Sequence, residues 1–178
     1  MRGMTTIKND PCYVFGLTLD GEGGARDVAE SADAHWLHID YSIDSAEHWL
    51  QNRGLDDWVV STLVRSDTRP RTVVTKTGVL IVLRAINLNP QSDPEDMVSL
   101  RIWLEADRII SVRQRRLFSV QDTKLELEQG MGATSVRDVM IRLVEKIGDR
   151  ISGFVDELEE QLESIEELVE TDPNAKIR

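Results

Sequence analysis

A long helical pattern in the last third of the sequence constrains the fold more than any other feature. Thr134 or Ser135 is a candidate N-cap residue, and Asp138 lies where the positive end of a helix favours an acidic side chain. Apolar residues then recur at helical spacing, and after Ile151 they alternate at intervals of four and three, as in a coiled-coil heptad. The apolar positions are Val136, Met140, Leu143, Ile147, Ile151, Val155, Leu158, Leu162, Ile165 and Val169. A helix of about 35 residues would be about 50 Å long, so we expect its end to project beyond the preceding domain.

The surface of this helix beside the apolar seam is almost entirely acidic. The acidic residues are Asp156, Glu157, Glu159, Glu160, Glu163, Glu166, Glu167 and Glu170. A projecting apolar seam needs a second helix to cover it, either from its own continuation or from another chain. The alternative is a solvated helix that folds back onto its own sheet. Because the sequence ends after this helix without a compact closing element, we expect a fragment in which residues 1–133 form an α/β domain and residues 134–178 begin a long helix.

The first two thirds of the chain consist mainly of predicted strands. Apolar alternation and β-branched residues predict strands over residues 13–19, 35–41, 71–76, 79–86, 98–104 and 108–113. The alternation over residues 98–104 is typical of a half-buried strand. Helices are predicted after a cap at Asp44 or Ser45, over residues 55–63 and over residues 119–129. The pattern predicts an α/β fold, with helices on the faces of a mixed parallel and antiparallel sheet, followed by the long C-terminal helix.

The charge is acidic overall but unevenly distributed. A formal net charge of −11 and a pI near 4.7 argue against nucleic acid as a partner. Residues 65–116 are the exception, because they hold ten basic and six acidic residues. This arginine-rich middle could bind an anion, pair with the acidic end of its own chain, pair with a neighbouring subunit, or consist of scattered surface arginines. The candidates for holding a phosphate or a carboxylate are Arg69, Arg71, Arg113, Arg115 and Arg116.

Few residues offer catalytic or metal chemistry. The sequence has no phosphate-binding loop or nucleophile elbow, and no general base accompanies the arginines, so we expect neither an enzyme nor a cofactor. Cys12 is the only cysteine, and we expect it to be a small buried residue. His38 and Asp40 share one face of a predicted strand and would permit a two-ligand zinc contact. Because zinc needs three or four ligands, a hydrogen-bonded histidine at a strand edge is the alternative.

Four stretches of the sequence resemble the N-terminal cytoplasmic domain of the CorA-like divalent metal-ion transporters, most closely the ZntB zinc-transporter branch. They are Leu19–Gly24, Trp36–Tyr41 with Asp44–Leu50, Thr68–Arg71, and Ile109–Arg116. The resemblance implies an α/β/α domain and a long stalk helix that leads to two membrane helices. In that family, five subunits form a cytosolic funnel below a central pore. The pore-mouth signature Gly-x-Asn is absent from this sequence, so no pore residue is carried over and transport is expected only of a full-length protein.

The acidic helix and the resemblance together suggest a function. Five such helices around an axis would concentrate divalent cations by focusing the electric field. The predicted attracting residues are Glu159, Glu160, Glu163, Glu166 and Glu167. Carboxylates suit Mg²⁺, whereas zinc prefers nitrogen and sulfur ligands, and the transported ion stays open between the two.

We therefore expect the cytoplasmic part of a divalent-cation transporter at the inner face of the cell membrane. The full-length protein would be a homopentamer anchored by membrane helices that follow this soluble part, which would funnel ions and help gating. One alternative is that the glutamates only keep a surface helix hydrated. Another is a soluble regulatory module that binds an anionic ligand through its arginine-rich middle and dimerises through the long helix.

Overall fold

A computed structural model describes residues 10–28, 34–66 and 69–171. The described chain forms seven strands and four helices. The strands are β1 (Tyr13–Leu19), β2 (Ala25–Asp27), β3 (Trp36–Asp40), β4 (Arg71–Val74), β5 (Val79–Ala85), β6 (Val98–Leu104) and β7 (Ile109–Arg113). The helices are α1 (Ala46–Gln51), α2 (Asp57–Val64), α3 (Phe118–Glu128) and α4 (Val136–Thr171). The order along the sheet is β2-β1-β3-β7-β6-β5-β4, and β3 and β7 are its parallel pair among the described strands.

Helices cover both faces of the sheet and produce two hydrophobic cores. One core joins Trp36, Leu100 and Ile109 to residues of α3 and α4, including Leu143. The other joins residues such as Leu37 to α1 and α2 on the opposite face. This arrangement confirms the predicted α/β fold with a mixed sheet and a long C-terminal helix. The division of the chain at residue 133 stays a prediction, because the first half of α4 shares its core with the sheet.

One strand was not predicted, and one local expectation was wrong. Strand β2 was not predicted, since three residues carry too little periodicity to identify a strand. Strand β6 is buried on both faces, although its alternation predicted one exposed face. Arg101 and Trp103, which were expected to face solvent, lie instead beneath α1 and α2, and both side chains are buried. Thr68 of the resemblance motif and residues 172–178 lie outside the described part of the chain.

The glycine-rich turn after β1 positions the start of α4. Asp20 Oδ1 accepts hydrogen bonds from the backbone N–H groups of Glu22 at 2.8 Å and Gly24 at 2.9 Å. Gly23 has a φ of 102°, a conformation that side chains disfavour, and its carbonyl accepts the N–H of Gly132 at 2.7 Å. A Cβ on Gly23 would lie 3.1 Å from the carbonyl oxygen of Gly130. The turn therefore docks directly onto the loop from which the long helix begins.

The predicted cap of α4 is confirmed. The hydroxyl oxygen of Ser135 accepts the backbone N–H of Asp138 at 3.2 Å, and Thr134 donates its hydroxyl to Asp138 Oδ2 at 2.6 Å. These hydroxyl contacts lower the pKa of Asp138, because they stabilise its charged form. The cap thus fixes an acidic group at the positive end of the helix, where it is most favourable.

Candidate functional site on the last helix

The first half of α4 is fixed to the domain by packing and by ion pairs. Val139 and Leu143 are fully buried against the sheet. Glu126 of α3 accepts hydrogen bonds from Arg142 at 3.1 Å and from Lys146 at 2.6 Å. One turn further along, Arg150 pairs with Asp122 of α3. These contacts orient the helix, and they end near residue 151.

The second half of α4 leaves the domain. Every side chain from residue 155 to residue 170 is exposed, including Leu158 at 47% and Leu162 at 56%. The 20 residues from 152 to 171 extend for about 30 Å at the usual helical rise. The helix does not fold back onto its own sheet, so the prediction of a projecting end is confirmed for the described residues. In this half the apolar side chains of Val155, Leu158, Leu162, Ile165 and Val169 are all exposed.

The structure separates two apolar stripes that the sequence pattern merged. One stripe faces the sheet through Val136, Val139, Met140, Leu143 and Ile147. The other is mainly exposed, apart from Ile151, which is half-buried against the sheet core, and it keeps strict intervals of three and four over four heptads. Its members are Ile141, Val144, Gly148, Ile151, Val155, Leu158, Leu162, Ile165 and Val169, and we call it the outer seam. The predicted seam followed the sheet-facing residues in the first half of the helix, and it did not include Ile141, Val144 and Gly148.

The outer seam is suited to helix pairing even beside the domain. Ile141 is 54% exposed, and a Cβ placed on Gly148 would meet nothing within 4 Å. The signal that could have identified this part was the unbroken spacing from Ile141 to Val169. An exposed apolar stripe of this length is typical of an interaction surface.

The predicted cation-attracting residues lie beside and opposite the outer seam. Glu159, Glu160, Glu163, Glu166 and Glu167 are all exposed. Residues 152–171 carry eight acidic and no basic side chains. Pairing along the seam would leave these carboxylates in water, where their potentials add. The arrangement can attract cations over a Debye length, but it offers no cage of converging ligands.

His38 and Asp40 point to the same face of the sheet, as predicted, but each already has partners. His38 is buried, and its Nδ1 lies 2.8 Å from the hydroxyl of Ser111, which also accepts the Trp36 indole N–H at 2.8 Å. Burial and the charge of Arg113 lower the pKa of His38 to about 3. Asp40 accepts the hydroxyl of Ser42 at 2.6 Å.

These partners define what a zinc contact would require. The described residues contain no group of three or more histidine, cysteine, aspartate or glutamate side chains that could hold a metal ion. A zinc ion would therefore displace the Ser111 contact or use His38 Nε2, a buried atom without a hydrogen-bond partner among the described residues. The zinc contact at His38 and Asp40 stays a prediction. Cys12 is buried, as expected, and burial raises the pKa of its thiol to about 12.

The five predicted anion-binding arginines do not form one site. Strand pairing places Arg71 on the α1 and α2 face, in line with Val82, Arg101 and Val112. Arg113 follows Val112 in the same strand and therefore faces the opposite side, where its Nε lies 3.9 Å from Asp40. Arg115 and Arg116 are exposed beyond the end of β7. Arg101 was not among the predicted residues, and its signal in the sequence is a charge in the middle of an otherwise apolar strand.

Comparison with known proteins places these features in a family. The model of the family described as CorA-like Mg²⁺ transporter protein matches residues 31–178. The divalent cation transporter CmaX of Pseudomonas aeruginosa is 36% identical over 173 residues, which cover 91% of this chain and 52% of that protein. The zinc transport protein ZntB of Yersinia enterocolitica is 31% identical over 160 residues, which cover 86% of this chain and 49% of that protein. The chain thus spans about half the length of these curated relatives.

Solved structures support the same fold. The structure of the full-length CmaX protein aligns with a TM-score of 0.89 at 35% identity, over 96% of this chain and 55% of that one. The ZntB cytoplasmic domain of Vibrio parahaemolyticus aligns with a TM-score of 0.77 at 22% identity, over 86% of this chain and 64% of that one. At that identity the second alignment establishes the fold alone. In the part of the chain that the structure describes, no helix is both long and apolar enough to span a membrane.

Proposed function

The chain belongs to the CorA-like Mg²⁺ transporter family, and from this premise we propose that it is the cytoplasmic part of a divalent-cation transporter. In this proposal, residues 1–133 form the cytoplasmic α/β domain, and residues 134–178 begin a stalk that leads to membrane helices at the inner face of the cell membrane. The matched relatives are named as transporters, and we propose no enzymatic activity and no resident cofactor for this part.

The observation that carries the proposal is the division of α4 into an anchored half and a projecting half. The anchored half is attached to the domain, because its ion pairs with α3 and its buried residues tie it to the sheet. The projecting half exposes an apolar seam together with eight acidic side chains. A connector between a domain and a membrane pore, covered by copies of itself, accounts for both properties.

Self-association along the outer seam would build a funnel. We propose that full-length subunits assemble as a homopentamer, with the seams of neighbouring helices in contact and the carboxylates in water. Coulomb potentials of carboxylates on several subunits add, and clefts of one sign raise the local concentration of counter-ions. The funnel would attract Mg²⁺ or Zn²⁺ without dehydrating it, and a movement of the helices would help to gate the pore.

The transport experiment uses the full-length gene product in liposomes with indicators for Zn²⁺ and Mg²⁺. Glutamine replaces all five of Glu159, Glu160, Glu163, Glu166 and Glu167. We expect influx at low ionic strength to fall at least about 3-fold, and the difference to vanish near 0.5 M salt, where the Debye length is only about 4 Å. The matched control neutralises five exposed acidic residues of the domain: Glu22, Asp44, Glu47, Glu95 and Asp96.

The outcomes separate the parts of the proposal. Loss of influx in the helix variant but not in the control supports cation attraction by the stalk. Equal influx in the helix variant and the wild type at low ionic strength would contradict the proposal that the helix glutamates attract cations. If the wild type shows no influx of either ion, the proposal that the full-length protein transports these cations is contradicted. The ratio of Zn²⁺ to Mg²⁺ influx identifies the preferred ion.

Assembly is tested separately by sedimentation of the full-length protein in detergent. The double change Leu158→Glu and Leu162→Glu places charges in the projecting seam, and Ile141→Glu places one beside the domain. We expect both variants to dissociate, because burying an unpaired carboxylate is costly. Leu125→Glu is the matched control, since Leu125 of α3 is 50% exposed but lies outside the seam. Unchanged assembly of the seam variants would show that another surface joins the subunits.

A further inference from the structure

Helix α4 loses its support from the domain over a single turn. The ion pair of Arg150 with α3 is the last along the helix among the described residues, and Ile151 is the last residue of α4 that packs against the sheet core. Ser152 and Gly153 follow directly, and both are exposed. Beyond the half-buried Phe154, every described side chain is exposed. The pair Ser152–Gly153 therefore lies at the boundary between the anchored half and the projecting half.

Neither space nor backbone conformation requires a glycine at position 153. A Cβ placed on Gly153 would meet nothing within 4 Å, whereas a Cβ on Gly132 would lie 2.6 Å from the side chain of Leu127. Gly153 also lies within regular helix, unlike Gly23 with its φ of 102°. Glycine weakens a helix interior, because it loses more conformational freedom on folding than any other residue. The boundary thus carries a weak point that packing does not explain.

The neighbouring serine and the position around the helix both favour bending at this point. Sharp bends in helices occur at Gly and Ser pairs, where water and the serine hydroxyl compete for the backbone carbonyls. Gly153 is two residues from both Ile151 and Val155 of the outer seam. At about 100° per residue, it lies about 160° around the helix from each of them. A change at Gly153 therefore leaves the outer seam untouched.

We propose that Ser152–Gly153 is a hinge about which the projecting half of α4 changes its angle to the domain, while both halves stay helical. The 18 residues beyond Gly153 form a lever of about 27 Å, so a bend of about 20° moves the end of the helix by about 9 Å. The ion pairs and the core contacts of the anchored half stay intact during this movement. In the proposed transporter, on which this consequence alone rests, the hinge lets the stalk change direction without separating α4 from the sheet.

The test measures distances between pairs of spin labels on the 178-residue chain by pulsed electron paramagnetic resonance. Cysteines for labelling replace Glu166 on the projecting half, Glu145 on the anchored half, and either Glu47 or Glu95 on the domain, all of which are exposed. The native Cys12 stays in place because it is buried, and excess unlabelled chain suppresses distances between chains. Glu166 lies about 20 Å beyond the hinge, so a bend of about 20° moves its label by about 7 Å. We expect at least one domain label to give a distribution to Glu166 that is wider by about 5 Å or more than its distribution to Glu145.

Exchanges between glycine, serine and alanine identify the hinge. Gly153→Ala should reduce the excess width at least about 2-fold, because alanine is the strongest helix former. The double change Ser152→Gly and Gly153→Ala moves the glycine by one residue and should restore the width. Gly148→Ala is the matched control, since Gly148 also has open space around it but lies where Ile147 is buried against the sheet. Ser164→Ala strengthens the projecting helix beyond the hinge and separates bending from fraying, and it should leave the width unchanged.

Three results would overturn the proposal. One is a wild-type distribution to Glu166 that is as narrow as the distribution to Glu145 from both domain labels. Another is a wide distribution that Gly153→Ala leaves unchanged, which would place the bend elsewhere. The third is equal narrowing by Gly153→Ala and by either Gly148→Ala or Ser164→Ala, which would show distributed bending or fraying instead of a hinge. None of these distances depends on transport, so a failure here is distinct from a failure of the proposed function.

Discussion

His38 makes the stability of the domain sensitive to mild acid. Its pKa in the folded state is about 3, because burial and the charge of Arg113 disfavour the imidazolium. An exposed histidine in the unfolded chain has a pKa of about 6.5. Below this value the unfolded state therefore binds more protons than the folded state. The stabilising effect of a neutral His38 is complete above about pH 6.5 and is lost as the pH falls towards 3.

The size of the effect follows from the two pKa values. One pKa unit corresponds to about 1.4 kcal/mol, so lowering the pH from 7 to 5 should reduce the free energy of unfolding by about 2 kcal/mol through His38 alone. Asp10, Asp20 and Asp138 do not contribute to this window, because their pKa values are lowered from an ordinary value of 3.8.

The assay is urea unfolding at pH 7, 6 and 5 in the presence of a chelator, for the wild type, His38→Leu and His48→Leu. We expect His38→Leu to lose about 2 kcal/mol less than the wild type between pH 7 and 5. His48 is exposed on α1, and His48→Leu is the control for replacing a histidine outside the core. Equal losses in the wild type and in His38→Leu would refute the reasoning. Replacing the chelator with zinc tests the predicted contact with Asp40, since zinc would then stabilise the wild type but not His38→Leu.

Three further predictions concern the helix and the thiol. Leu143→Ala should reduce the free energy of unfolding by about 3 kcal/mol, because it opens a cavity in the core. Leu158→Ala should change this free energy by less than about 0.5 kcal/mol, because Leu158 is exposed. Urea titrations of both variants measure the difference. Ser135→Ala should cost about 1 kcal/mol, since the N–H of Asp138 loses its cap, and thermal unfolding measures the loss. Cys12 should not react with a thiol reagent at pH 8 until urea unfolds the chain, because its pKa is about 12 and it is buried; rapid labelling of the folded protein would contradict this.

Much of the fold could be predicted because local patterns agreed with the final packing. Strands β1, β5 and β7 follow from runs of apolar residues, and the hairpin between β4 and β5 follows from its glycine turn. The cap of α4 at Ser135 was also predictable, since it depends on neighbouring residues alone. Helix α1 shows the limit of this approach. Ser45 occupies its cap position, but the hydroxyl donates to Asp10 at 2.6 Å instead of capping the helix.

The features that could not be predicted depend on contacts between distant segments. The alternation of β6 gave no information on whether helices cover one face or two, and the burial of Arg101 and Trp103 is a consequence of α2 packing above them. Likewise, apolar residues occur on two stripes of α4, and only the position of the sheet shows which stripe is covered. The glutamates of α4 were correctly predicted to be exposed, because unpaired charged side chains are almost never buried in a core.

The charge distribution along α4 bears on the proposed self-association of its projecting half. Residues 134–151 carry three acidic and four basic side chains, several of which pair with α3, whereas residues 152–171 carry only acidic ones. Pairs such as Glu159 with Glu163, and Glu163 with Glu167, are four residues apart, a spacing at which like charges destabilise a helix by a few tenths of a kcal/mol each. An isolated helix of about 20 residues is only marginally stable in water, and these repulsions weaken it further. Contact along the outer seam and nearby cations would both offset this cost, and the two act together. In the proposed assembly, neighbouring helices would raise the local negative potential, and the cations attracted by this potential would screen the repulsion that otherwise opposes assembly.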